Sequence, residues 1–92
     1  MTREEILQKA IDTYGDQAQI DVCIEECSEL IKALIKYRRS YGAEKYAARD
    51  NVVEEIADVQ IMLDQMRMIY GSTADQEAYK LERLEKRLEG AK

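Results

Sequence analysis

Two pairs of acids stand three residues apart in segments that also carry helical apolar stripes: Glu26 with Glu29, and Glu55 with Asp58. Residues at i and i+3 are neighbours on one helix face, so each pair can present its carboxylates together. On a helical wheel Glu55 falls inside the apolar arc formed by Val52, Ile56, Val59, Leu63, Met66 and Tyr70. Asp58 sits at the border of that arc. Glu26 borders the apolar arc of its own helix near Val22, Leu30 and Ala33, and Glu29 follows one turn later on the same side. An ionised Glu in such a place is costly unless it is paired or bound to a cation. If the two helices pack antiparallel, four carboxylates converge. Oxygen ligands without His or Cys describe a hard-cation site, suited to Mg²⁺ or Mn²⁺.

The chain has no His. Ser-His and Cys-His nucleophile pairs, His-ligated zinc and an imidazole base are therefore excluded. Cys23 and Cys27 are four apart in a helical pattern. Two thiols without a second pair make a poor zinc site, and core thiols in a reducing cytoplasm are the expectation. The remaining nucleophile is a water activated at the cation, with Glu26 or Glu29 as the group that takes its proton.

The elements that must position these acids are helices. Thr2 and Glu5 form a T-x-x-E capping box ahead of the stripe Ile6, Leu7, Ala10, Ile11 and Tyr14, and Gly15 ends that helix. A second helix is expected from Asp16–Gln19 to about Arg39, broken by Ser40-Tyr41-Gly42. Residues 41–50 read as a loop or short turn. A third helix is expected from Asp50 or Asn51 to Ile69 or Tyr70, with Gly71 as its C′ residue. Thr73 and Gln76 have capping-box spacing at the start of a fourth, whose seam is Ala74, Ala78, Leu81, Leu84 and Leu88. Met62, Met66 and Met68 read as core filling. Val53, Ala57, Ile61 and Met68 give the third helix a second apolar stripe, which asks for burial by the bundle or by a second subunit. The expectation is one all-α domain over residues 1–92, bundle-like with four helices and completed by oligomerisation.

Composition agrees. The chain is 46% apolar and 36% charged, with no Pro and four Gly, and it has no period-2 stretch, tandem repeat or low-complexity linker. A net charge of −5 argues against nucleic-acid or anionic-membrane partners. No apolar run approaches the roughly 20 residues of a membrane span, and no signal-peptide pattern opens the chain, so a cytoplasmic location is expected.

Glu25-Glu26-Cys27-Ser28-Glu29 reads E-E-x-x-E and Glu55-Ile56-Ala57-Asp58 reads E-x-x-D, with 25 residues between. This paired motif resembles the MazG-like nucleotide pyrophosphohydrolases of the all-α NTP pyrophosphatase superfamily. The resemblance extends to Tyr14-Gly15, Gln19, Glu54 to Val59, and the charged stretch Tyr79 to Leu84. It implies a helical homodimer or homotetramer that uses Mg²⁺ to cleave a nucleoside triphosphate between the α- and β-phosphates, giving a monophosphate and pyrophosphate. It also implies Glu26, Glu29, Glu55 and Asp58 as metal ligands. Glu25, though part of the motif, points away from that face.

Phosphate oxygens need cations too. Lys80 and Arg83 share a face of the last helix, and the resemblance gives such late basic residues a phosphate contact; Gln19 could read a base edge. Lys and Arg on a terminal helix equally serve as solvated partners of Glu. Two other functions fit the same residues. Phosphoribosyl-ATP pyrophosphohydrolases share the motif arrangement, and a non-catalytic helical oligomerisation module needs none of the chemistry.

Overall fold

The computed structural model describes residues 1–91 and contains four helices: α1 (Arg3–Tyr14), α2 (Asp16–Arg39), α3 (Glu44–Tyr70) and α4 (Ala74–Gly90). Among the described residues there is no strand. None of the helices is long and apolar enough to cross a membrane.

The start of α1 is the capping box read from the sequence. Glu5 N–H donates to Thr2 Oγ1 at 3.1 Å, and Thr2 N–H donates to Glu5 Oε1 at 3.2 Å. A single residue, Gly15, separates α1 from α2 at φ 91°, a value that side chains rarely tolerate. Gly71 closes α3 in a similar way at φ 116°, its N–H donating to Arg67 O at 2.9 Å.

α3 begins at Glu44, six residues before the expected Asp50. The stretch Ala43-Glu44-Lys45-Tyr46-Ala47-Ala48 holds good helix formers, and the helix starts there without a side-chain cap. The connection from α2 is thereby only residues 40–43, which forces α2 and α3 into a tight antiparallel hairpin. Lys45 ties this hairpin shut. Its Nζ donates to Tyr37 O at 3.2 Å and Ser40 O at 3.3 Å and lies 4.1 Å from the centre of the Tyr37 ring.

α2 and α3 make the main packing interface, and α1 lies against both. Leu7 and Ile11 from α1, Cys23 and Ala33 from α2, and Ala48, Val59 and Met62 from α3 form the core. Cys23 is buried and Cys27 half-buried, both as free thiols, in keeping with their expected core role. α4 packs against no other helix of the chain and buries none of its residues. The radius of gyration is 16.8 Å, where a compact chain of this length has about 12 Å. The exposed surface is 7417 Å², against roughly 5,500 Å² for a compact monomer of this mass. The second stripe of α3 is open, with Val53 55% exposed, and so is the outer face of α2, with Ile31 59% exposed.

The expected capping box at α4 does not form: Thr73 makes no side-chain cap. Its hydroxyl donates to Glu77 instead and accepts from Arg67 Nε at 2.9 Å. Ser72 Oγ takes the Ala74 N–H at 3.2 Å. Arg67 also reaches Asp64 Oδ1 at 3.0 Å, and Arg3 donates to Asp64 Oδ2 through two nitrogens at 2.9 and 2.7 Å. This chain of contacts links the start of α1, the last turns of α3 and the start of α4. The hydrogen bonds from Arg3 hold the Asp64 carboxyl below its ordinary value, despite partial burial. Its contribution to stability is present above the unfolded-state aspartate range and is lost as pH falls through the lowered native value. Asp64→Asn is expected to cost about 1 kcal/mol at pH 7. The difference from the parent protein should close as the pH is taken below that native value, read as urea midpoints at each pH.

Candidate functional site

The hairpin sets the register of its acids. Glu26 lies 14 residues before Ser40, and Glu55 and Asp58 lie 12 and 15 residues after Ala43. Helices rising 1.5 Å per residue therefore bring them to the same level. One carboxylate oxygen from each of Glu26, Glu55 and Asp58 lies within 4.8 Å of the others. Glu26 and Glu55 are half-buried, and Asp58 is exposed.

Three negative charges this close need compensation, and among the described residues no Lys or Arg pairs with any of them. Glu55 Oε2 is buried without a hydrogen-bond donor. Burial raises the Glu26 carboxyl above its ordinary value, and the charges of Asp58, Glu55 and Glu25 push it further up. A proton or a cation would relieve this repulsion. The donor set is all oxygen, which fits a hard divalent ion.

Glu29 stands apart from the three. It lies one turn along α2, half-buried, with Lys32 Nζ 3.5 Å from its Oε1. Gln19 is only 7% exposed and belongs to the core side of α2, where it does not meet solvent or an incoming base. Lys80 and Arg83 sit on the detached α4, and Arg83 lies over the Tyr79 ring at 5.8 Å. Nothing in a single chain brings them to the acids. The structure thus unites three of the seven residues singled out from the sequence.

One residue had no place in that reading: Asp64, which lies in the same helix as Glu55 but is fully satisfied by Arg3 and Arg67. The only sequence signal for it was an acid three residues before an Arg. The chain matches no family model, no curated protein and no solved structure.

Because the native Glu26 value is raised, its contribution to stability is full below the ordinary glutamate range and is lost as pH rises through the raised value. Glu55→Gln removes one source of that strain. In chelator-treated protein at pH 8 this variant is expected to melt a few degrees above the parent. The gap should shrink as pH falls towards 4, followed by circular dichroism at 222 nm. A variant that melts lower at every pH would show that the acids are not in conflict.

Proposed function

We propose that this chain is a Mg²⁺-dependent nucleoside triphosphate pyrophosphohydrolase. The observation that carries the reading is the uncompensated convergence of Glu26, Glu55 and Asp58 from two helices, with the Glu55 Oε2 atom buried and unpartnered. Glu26, Glu55 and Asp58 would hold the ion, and Glu29 is the fourth acid within a helical turn. A bound Mg²⁺ supplies charge neutralisation for the triphosphate and lowers the pKa of a coordinated water. Glu26 or Glu29, whichever carboxylate the ion does not saturate, would accept that water's proton. Net attack of water on the α-phosphorus breaks the bond to the bridging oxygen of the β-phosphate, and the products are the nucleoside monophosphate and pyrophosphate. The resemblance of the paired motif to MazG-like enzymes supports the choice of bond.

The reading also calls for a second copy of the chain. The surface excess over a compact monomer is about 1,900 Å² per chain, the scale that obligate homodimer interfaces bury. The open apolar faces of α2, α3 and α4 supply the contact. A neighbouring protomer's α4 is also the available route for Lys80 and Arg83 to reach phosphates, since a chain's own α4 stands clear of its acids. A homodimer or homotetramer satisfies both needs.

Pyrophosphate release from a panel of nucleoside triphosphates, with Mg²⁺ and with EDTA, tests the activity. Chelation is expected to abolish it, and Glu26→Gln is expected to lower kcat by about 10²–10⁴-fold with the helical spectrum unchanged. Activity confined to phosphoribosyl-ATP would move the reading to that substrate. Absence of activity and of metal binding would leave the oligomerisation module. Metal binding has its own readout: Mg²⁺ at about a hundredfold excess over its Kd stabilises by about 2.7 kcal/mol. That is a rise of roughly 10–20 °C in Tm for a chain of this size, and it should vanish in Glu55→Gln. The assembly is tested by sedimentation: Ile31→Glu combined with Val53→Glu is expected to turn the oligomer into monomer.

A further inference from the structure

The end of the hairpin opposite to α4 has a charge that the chain average conceals. Six of the fourteen Lys and Arg residues lie within residues 32–49, with Glu44 the one acid among the nineteen. Lys45 is committed to the turn, and Lys32 pairs with Glu29. Lys36, Arg38, Arg39 and Arg49 form no ion pair among the described residues. The same tip exposes two tyrosines almost completely, Tyr41 at 83% and Tyr46 at 76%. Open clefts flank it. One runs between Lys36, Arg39, Ser40 and Glu44, with a volume of about 440 Å³, and one lies between Tyr37, Lys45, Tyr46 and Arg49, with about 190 Å³.

Some of this is ordinary helix chemistry, because cations near the C-terminus of α2 complement its dipole. That effect does not account for Arg49 in α3, nor for two tyrosines left in water beside the cations. Unpaired cations with aromatic faces between them are the combination that holds phosphates and stacks bases. The clefts are open troughs rather than an enclosed pocket, which suits an extended polyanion better than one nucleotide. The acids of the candidate site are screened from most of these cations. Arg38 and Arg39 lie 12 and 13 residues from Glu26, about 18 Å or more along α2 and roughly two Debye lengths at physiological salt, while Arg49 lies six residues from Glu55, roughly one Debye length.

We infer that the α2–α3 tip is a binding surface for single-stranded nucleic acid, with Arg38, Arg39 and Arg49 on the phosphates and Tyr41 and Tyr46 stacking on bases. This departs from what the net charge of −5 led us to expect, because a strand meets the local potential and not the total. The inference is independent of the carboxylate site, and its readout is binding rather than hydrolysis.

The test is fluorescence anisotropy of labelled 20-nucleotide oligothymidylate and oligouridylate with the intact oligomer, over a salt series. Four free cations predict a slope of log K on log salt near −3, at about 0.7 for each phosphate neutralised on a single strand. Arg38→Ala/Arg39→Ala/Arg49→Ala should reduce the slope to about −1. Tyr41→Ala/Tyr46→Ala should weaken binding at least roughly fivefold while leaving the slope unchanged. These residues are exposed, and an unchanged helical spectrum keeps the comparison fair. The inference is overturned by no binding at roughly 100 µM protein in low salt, the weak end of non-specific affinities. Binding whose affinity and salt slope are unchanged in the arginine triple variant also overturns it. So does equal competition by a polyglutamate peptide, which would assign the tip to an acidic protein partner, or by free nucleoside triphosphate, which would make it a nucleotide site.

Discussion

Unbalanced negative charge held between α2 and α3 is the constraint on which the rest of this molecule turns. A turn of four residues fixes the register of the hairpin, and that register sets Glu26 against Glu55 and Asp58. The core runs beside them, with Cys23 and Val59 buried one turn away, and fixes the backbone positions from which the acids project. The same helix shows what a settled acid looks like. Asp64 has two guanidinium groups on its two oxygens and a lowered native pKa, whereas Glu26 has only carboxylates for company and a raised one. One chain thus handles its half-buried acids in opposite ways, and under the proposed function the group left in conflict is the one that would meet a proton or a cation.

The hairpin also explains why the surface is so apolar for a small protein. α1 covers one side of α2 and α3 and leaves the other side without a cover. α4 carries its own leucines away from the core, held at its root by the Arg3–Asp64–Arg67–Thr73–Glu77 chain of contacts. That anchor fixes where α4 leaves the body without burying any of its seam. Under the proposed oligomer these features are one design: a second copy covers the open faces, and the detached helix has somewhere to pack.

Much of the architecture was legible because its signals are local. Thr2 with Glu5, Gly15 and Gly71 mark helix ends through hydrogen bonds or backbone angles that only a few residues can supply, and the helices end there. The same kind of signal failed at Thr73. A contact across six residues, from Arg67, took the hydroxyl that the capping pattern assigned to the helix start. The start of α3 was missed for the opposite reason: no residue caps it, and only the alanines and the absence of a breaker extend the helix to Glu44. Of the site, the wheel placed Glu26, Glu55 and Asp58 on facing arcs because period and burial depend on one helix at a time. It could not show that Gln19 turns into the core or that α4 stands away, since both depend on which surfaces meet, and an apolar seam does not name its partner.

Charge along the hairpin is arranged as acid at the flank and base at the tip, and the order matters for any anion that approaches. A triphosphate carries several negative charges and is repelled by three carboxylates within 4.8 Å of one another. With no Lys or Arg pairing with those acids among the described residues, the flank is closed to anions until its charge is neutralised. At the tip Arg38 and Arg39 are exposed and form no ion pair among the described residues, so under the inferred strand binding that end accepts an anion without a bound cation. Under the proposed function the two ends therefore differ in when they accept an anion, and the flank does so only after a divalent ion has settled among Glu26, Glu55 and Asp58. A requirement of that kind makes the site selective by charge state before any base is read, which suits a protein whose carboxylates lie on an open face rather than in a deep pocket.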